Sequence, residues 1–158
     1  MKRRAISVAC ALILSFFAVG CSNDGSMPET LVSSYNESEM DAAIEKAKAT
    51  VGDFVEALAI GEADEFSIKA PISDSNGTEH FWISDVAYAD GKFTGLIAND
   101  PGVVKNVEYG QSWSVEKNEI SDWMFMRGEM IHGGFTIEAL LASYPEEEAN
   151  LMRSKLVR

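Results

Sequence analysis

The hydrophobic periodicity of this 158-residue chain changes once, from the spacing of a helix to that of strands. The steps of three and four between Ser38 and Ile60 predict one amphipathic helix. Ser38 and Asp41 have the spacing of a capping box, and Gly61 stands where a helix usually stops. Gly52 costs about 1 kcal/mol relative to alanine inside a helix, so we expect a close contact there. The apolar stripe comprises Met40, Ile44, Ala47, Val51, Phe54 or Val55, and Leu58.

A β-hairpin is the clearest feature of the segment that follows. Asp90-Gly91 lies between two apolar runs, and this dipeptide favours a two-residue hairpin turn. Gly95 lies in mid-strand and indicates a bend of the kind that curls a sheet. The expected register pairs Tyr88 with Phe93, Val86 with Gly95, and Ser84 with Ile97. One face would then carry Tyr88, Val86, Ser84, Trp82 and His80.

Shorter patterns predict the remaining elements. The further strands expected are 66–70, ended by Pro71, then 103–107, 113–115, 120–126 and 130–131. Thr136 is expected to cap a short helix, and Pro145 with three glutamates is typical of the start of another. One helix followed by five or six short antiparallel strands and terminal helices indicates an α+β domain. We expect a strongly curled sheet, approaching a small, partly open barrel.

The N-terminus resembles an export signal. Lys2, Arg3 and Arg4 precede an apolar run of 16 residues, which is short of the roughly 20 needed to span a bilayer, so 1–20 is predicted to be a signal peptide. Ala18-Val19-Gly20-Cys21 resembles a lipobox, with Ala18 where leucine is usual. Cys21 is therefore predicted to carry lipid, and ordinary secretory cleavage after Gly20 is the alternative. We expect a flexible tether over 21–38 and a single domain over 39–158.

Composition excludes several classes of function. The formal charge of −12 argues against a nucleic-acid partner, which requires a basic surface. The leader carries three bases and no acid, so its removal changes the charge to −15. Cys10 would leave with the leader and Cys21 would be the anchor. A folded domain without cysteine has neither disulfides, nor thiolate metal sites, nor a cysteine nucleophile.

Several short motifs occur in one order over about 40–142: Glu79-His80-Phe81-Trp82, Gly91, Phe93-Thr94-Gly95, Asn99-Asp100-Pro101, Gly110, Ile120-Ser121-Asp122-Trp123-Met124 and Gly133-Gly134-Phe135-Thr136. This series resembles the bacterial YegJ-like domain. His132 stands where that family more often has a residue that does not titrate, so we base no mechanism on it. The resemblance implies a single domain and brings no activity, because none is established for the family.

His80 is the strongest candidate for chemistry. With Glu79, Asp85 or Asp122 it could serve a metal-assisted hydrolase or a small-molecule site, and it shares a predicted face with Trp82. The alternative, which we favour, is a histidine that ties a strand end to a loop. No ligand spacing such as HxxxH is present.

Two further motifs carry candidate ligand or interaction residues. Asp122 could orient His80 while Trp123 walls a pocket, but an aspartate there more often pins a turn. Asn99 and Asp100 could offer oxygens to a cation, although turn chemistry explains them better.

The function expected from these observations is that of a non-enzymatic binding domain on an envelope lipoprotein. Its partners would be the membrane, through the N-terminal lipid, and a protein or another envelope component. No catalytic residue, metal or cofactor is assigned. Ser22 after Cys21 resembles the signal for sorting to the outer membrane, facing the periplasm, if the host is Gram-negative.

Overall fold

The structure, a computed structural model, describes residues 35–157. The predicted signal peptide, Cys21 and most of the predicted tether lie outside the described residues. None of the helices between residues 35 and 157 combines the length and apolar composition needed to span a bilayer. The elements are α1 (Glu37–Ile60), β1 (Glu65–Asp74), β2 (Gly77–Ala89), β3 (Lys92–Ile97), β4 (Ser112–Glu116), β5 (Asp122–Arg127), β6 (Met130–Gly133), α2 (Phe135–Leu140), a 3₁₀ turn (Leu141–Ser143), α3 (Glu146–Lys155) and β7 (Leu156–Val157).

The strands form one seven-stranded sheet in the order β4-β3-β2-β1-β5-β6-β7. Neighbours are antiparallel except β6 and β7, which are parallel. The parallel pair arises because the chain returns from β6 through α2 and α3, and parallel strands need such a crossover. The α+β class is confirmed, but the sheet stays open and is not the partly open barrel we expected.

Helix α1 covers one face of the sheet and forms the main core. Phe54 lies at its centre, with ring centroids 5.6 Å from Phe66 and 5.7 Å from both Phe93 and Trp123. Edge-on and tilted aromatic pairs of this kind add to the stabilisation that comes from burial alone. The C-terminal helices cover the other face at β5 and β6, where the second core comprises Met124, Met126, Ile131, Leu141, Ala149 and Leu156.

A bulge changes the register of the predicted hairpin. Tyr88 pairs with Phe93, as predicted, but the register shifts between Ser84 and Ala87. Asp85, at the bulge, has a φ of +52°. Ser84 therefore faces Leu96 rather than Ile97, and the predicted pairing of Val86 with Gly95 is wrong.

The bulge also combines parts of the two predicted faces of β2, so neither face is the one predicted. An extra residue flips the side chains that follow it, so Val86 joins Phe81 and Ile83 in the core under α1. A Cβ at Gly95 would collide with the carbonyl oxygen of Ser84, so glycine is required at this close approach.

Two helix caps differ from the prediction. Asn36, not Ser38, caps α1, and its side chain accepts a hydrogen bond from the Ser38 N–H at 3.0 Å. Gly61 adopts the left-handed conformation expected of a stop. Gly134 takes the cap position of α2, and Thr136 lies inside that helix.

Two predicted strand limits are also wrong. Strand β1 continues through Pro71 to Asp74. The carbonyl of Lys69 accepts a hydrogen bond from the Ser121 N–H, on the side of β1 that faces β5. The backbone of Pro71, two residues further on, faces the same side but lies beyond the last β1 residue that pairs with β5. The N–H that proline lacks is therefore not needed by a neighbouring strand. The segment 103–107 is loop, not strand, although Val104 and Val107 are buried.

We expect Gly52→Ala to stabilise the protein by about 1 kcal/mol, because alanine is the better helix former. The close contact predicted at Gly52 is absent: the residue is exposed, and an added Cβ would meet nothing within 4 Å. Urea denaturation of the variant and the wild type measures the change. An unchanged or lower unfolding free energy would contradict this prediction.

Candidate functional site

Lys69 stands at the centre of a polar cluster on the sheet face opposite the main core. The register places it beside Trp82 of β2 on one side and beside Asp122 of β5 on the other. Since directly paired residues share a face, these three side chains project together. His80, two residues before Trp82, lies on the same face. We call Lys69, His80, Trp82, Asp122 and Thr136 the Lys69 cluster.

Asp122 is fully buried and accepts four hydrogen bonds. One oxygen accepts the N–H groups of Trp123 at 2.8 Å and Phe135 at 3.2 Å. The other accepts the N–H of Thr136 at 2.8 Å and its hydroxyl at 2.6 Å. Its carboxylate thus ties the first turn of α2 to β5, the pinning role that we had weighed against a role in a pocket.

A hydrogen-bonded chain links Lys69 to Asp122 through a hydroxyl. The Lys69 ammonium donates to Thr136 Oγ1 at 3.3 Å and lies 5.5 Å from the ring centroid of Trp82. Burial lowers the pKa of Lys69, and the charge of Asp122 opposes this. Burial raises the pKa of Asp122, against the hydrogen bonds from Thr136 and Trp123 and the charge of Lys69. The two groups therefore depend on each other for compensation.

Lys69 and the role of Thr136 were not predicted from the sequence. The available signal was the lone charged residue within the apolar alternation of β1, between Ile68 and Ala70. A lysine there indicates only a polar sheet face. Nothing local indicates that α2 folds back onto this face, because the contact with Thr136 spans 67 residues.

His80 contacts the segment that leads into β5. Its Nδ1 lies 2.8 Å from Ser121 Oγ, and Ser121 is itself buried. Burial and the nearby charge of Lys69 lower the pKa of His80, so the neutral imidazole is favoured. This histidine links the start of β2 to the residues before β5, which is the kind of contact favoured in the sequence analysis.

The carboxylates proposed to work with His80 do not converge on it. Both oxygens of Glu79 accept the Gly102 N–H, and Oε2 also accepts those of Val103 and Val104. Asp85 is exposed at the bulge. Residues 35–157 hold no group of three or more His, Cys, Asp or Glu side chains that could bind a metal. The Asp122 carboxylate accepts hydrogen bonds from the start of α2. The arrangement of these carboxylates around His80 therefore does not favour the hydrolase hypothesis.

The other candidate residues serve the loop after β3 and the core. Asn99 Oδ1 accepts the Trp82 N–H at 2.9 Å, which fastens the loop to β2, while Asp100 is exposed. The Trp123 indole donates to the Ala47 carbonyl at 3.0 Å, so it packs in the core against α1. Neither position forms a site for a cation or a ligand with His80.

A groove opens beside His80, between α1 and the segment before β5. Its volume is about 520 Å³. Lys48 also lines a second depression of about 400 Å³ further along α1. The lining of the groove comprises Asp41, Ile44, Glu45, Lys48, Pro71, His80, Glu119, Ile120 and Ser121, and we call it the α1 groove.

Comparison with known proteins gives a match over residues 37–155 to a family described as "Uncharacterized protein conserved in bacteria (DUF2314)". The chain belongs to the DUF2314 family. It is 47% identical over 148 residues to the uncharacterized protein YegJ of Escherichia coli, a match that covers 93% of this chain and 97% of that protein. No solved structure matches this DUF2314 chain.

A second relative places the DUF2314 sequence in a longer protein. Over 94 residues the chain is 40% identical to the putative ankyrin repeat protein NMB1133/NMB1171 of Neisseria meningitidis serogroup B. The match covers 56% of this chain and 37% of that protein. The predicted YegJ-like resemblance is thus confirmed, and the family carries no described activity.

The DUF2314 domain is expected to lose stability as the pH falls below about 6.5, the ordinary pKa of histidine. Because folding lowers the pKa of His80, the unfolded state binds more protons in this range. The contribution of His80 to stability is therefore complete above its pKa in the unfolded state, and it is lost as the pH falls through its pKa in the folded state. Urea denaturation of wild type and His80→Gln at pH 7.5 and 5.0 measures it.

The His80→Gln variant should lose less stability on acidification than the wild type. His132→Gln should show an effect of the same direction, because slight burial and the charge of Arg127 also lower the pKa of His132, so the two variants are compared with each other as well as with the wild type. Equal losses of stability on acidification in the wild type and in His80→Gln would contradict the assignment of this pH dependence to His80.

Proposed function

We propose that this protein is a lipid-anchored component of the bacterial envelope whose DUF2314 domain binds another macromolecule and catalyses no reaction. The α1 groove is the observation that carries the binding role. It is an accessible concave surface next to His80, whereas Glu79, Asn99 and Asp122 hold loops and helix ends in place.

The Neisseria relative supports a binding role. Its printed name describes a putative ankyrin repeat protein, and the similar region covers about a third of it. Ankyrin repeats stack into extended concave surfaces that are used for binding. A DUF2314 region combined with such repeats fits a module that adds a contact to a binding protein.

Site-specific crosslinking tests the binding role. A photoreactive residue at Lys48, in the α1 groove, should give a discrete adduct in living cells. The control position is Ser114, which is exposed on the sheet face that α1 does not cover. Adducts at Lys48 and not at Ser114 support the proposal. The same adducts at both positions, or none at Lys48, would overturn it.

The proposed anchor is the thiol of Cys21. Two or three acyl chains contribute about 0.8 kcal/mol per buried CH₂, enough to hold an acidic domain at an anionic surface. Ser22 after the cysteine supports placement in the outer membrane of a Gram-negative host.

Metabolic labelling with a palmitate analogue tests the anchor. Wild type should incorporate the label and partition with detergent. Cys21→Ala should incorporate no label, and it should either enter the soluble fraction or remain an uncleaved precursor. Cys10→Ala is the matched control, since that thiol lies within the predicted leader and should not affect labelling. A processed Cys21→Ala protein that still partitions with detergent would refute lipidation.

A further inference from the structure

We infer that the α1 groove accepts a lysine or arginine side chain from a peptide segment of the partner. The inference rests on the proposed binding function and names the chemistry of its ligand. Three features of the groove carry it: an apolar floor, an acidic rim, and a neutral polar wall.

The floor suits an alkyl stem. Ile44 of α1 and the exposed Pro71 of β1 line the groove with accessible apolar surface. Ile120 also lines the groove but is fully buried, so it supports this floor without contacting a ligand. Lysine and arginine carry three or four methylene groups that pack on apolar surface while the charged head stays in polar surroundings. A short polar side chain would leave this floor uncovered, and a wholly apolar side chain would leave the rim without a partner.

The rim carries more negative than positive charge. Asp41, Glu45 and Glu119 line it together with one basic residue, Lys48. The Lys48 ammonium lies 3.5 Å from Glu45, so these two charges largely compensate each other. Within the described part of the chain, neither Asp41 nor Glu119 lies within salt-bridge distance of a basic side chain.

Nearby cations do not cancel this surplus. Lys92, whose pKa is raised mainly by Glu116 and slightly by Glu119, donates to Glu116 at 2.7 Å. The charge of Lys69 is opposed by the carboxylate of Asp122 in the Lys69 cluster. An incoming ammonium or guanidinium thus meets a complementary potential, whereas a carboxylate or phosphate is repelled.

The polar wall adds hydrogen-bonding groups without charge. His80 and Ser121 form this wall and are bonded to each other at 2.8 Å. Burial and the charge of Lys69 lower the pKa of His80, which favours the uncharged imidazole, and this form does not repel a cation.

Titration of the purified protein with short peptides tests the inference. The probes are acetyl-Gly-Gly-Lys-Gly-Gly-amide, its arginine counterpart, and a norleucine peptide that keeps the alkyl stem but lacks the charge. Amide chemical shifts of the groove residues report binding. We expect the lysine and arginine peptides to bind about fivefold more tightly than the norleucine peptide, as solvent-exposed ion pairs allow.

A charge-matched pair of variants separates the groove from general electrostatics. Asp41→Asn with Glu119→Gln should weaken lysine-peptide binding about fivefold. Glu146→Gln with Glu147→Gln removes the same charge from the exposed start of α3 and should change binding less than twofold. Equal weakening by the two double variants, or no preference for the charged peptides, would overturn the inference.

The crosslinking experiment distinguishes this inference from the proposed function. If the Lys48 adduct persists at wild-type yield in the Asp41→Asn, Glu119→Gln variant, the basic ligand is wrong and the binding role stands. Loss of the adduct in that variant, and not in the α3 control, supports both.

Discussion

Asp122→Ala lowers the free energy of unfolding by about 3–5 kcal/mol, the range for breaking a buried, charge-compensated group. The change leaves three backbone N–H groups and the Thr136 hydroxyl without their acceptor. It also removes the negative charge that compensates the largely buried ammonium of Lys69. Denaturation in urea, followed by tryptophan fluorescence, measures the loss.

Asp64→Ala is the control for this prediction. Asp64 accepts one backbone N–H, that of Gly128 at 3.0 Å, and is exposed, so its removal should change stability little. If the two variants lose similar stability, burial does not decide the contribution of Asp122. Asp122→Asn should fall between them, because an amide keeps one acceptor oxygen but brings donors next to donors.

Gly133→Ala lowers the free energy of unfolding by about 3–5 kcal/mol, from a left-handed backbone conformation combined with an overpacked contact. Gly133 has a φ of +82°, and a Cβ there would collide with the carbonyl oxygen and the indole ring of Trp123. The ring cannot shift freely, since its N–H donates to the Ala47 carbonyl at 3.0 Å and it packs against Phe54.

Gly110→Ala separates the two causes. Gly110 has a similar φ, +77°, but an added Cβ would meet nothing within 4 Å. This variant should therefore lose only the backbone contribution, about 1–2 kcal/mol. Equal losses in Gly110→Ala and Gly133→Ala would show that the collision with Trp123 is relieved without cost.

Much of the fold followed from local pattern. The stripe in α1 and its stop at Gly61 depend on residues within a few turns of one another, and so does the Asp90-Gly91 turn. The pairing of Tyr88 with Phe93 next to that turn was correct. Further out, the bulge at Asp85 shifted the register, because no local rule placed an extra residue there.

The candidate site, like the fold, could be predicted from the sequence only in part. His80, Trp82 and Asp122 were singled out by residue type and by their positions in alternating runs. Their surroundings depend on contacts far apart in sequence: Lys69 reaches Thr136 across 67 residues and His80 reaches Ser121 across 41. The hydrogen bonds that Asp122 accepts from α2 could therefore not be deduced from the motif around it.

The sequence by itself determined the α+β class, the leader prediction and an acidic chain with two cysteines, because these depend on composition and short-range periodicity. Only the tertiary structure decided that the sheet is open, that β7 returns parallel to β6, and that α1 leaves a groove beside His80. The physical reason is that sheet order, burial and charge compensation arise when distant segments meet, and their free energies depend on partners that local patterns do not specify.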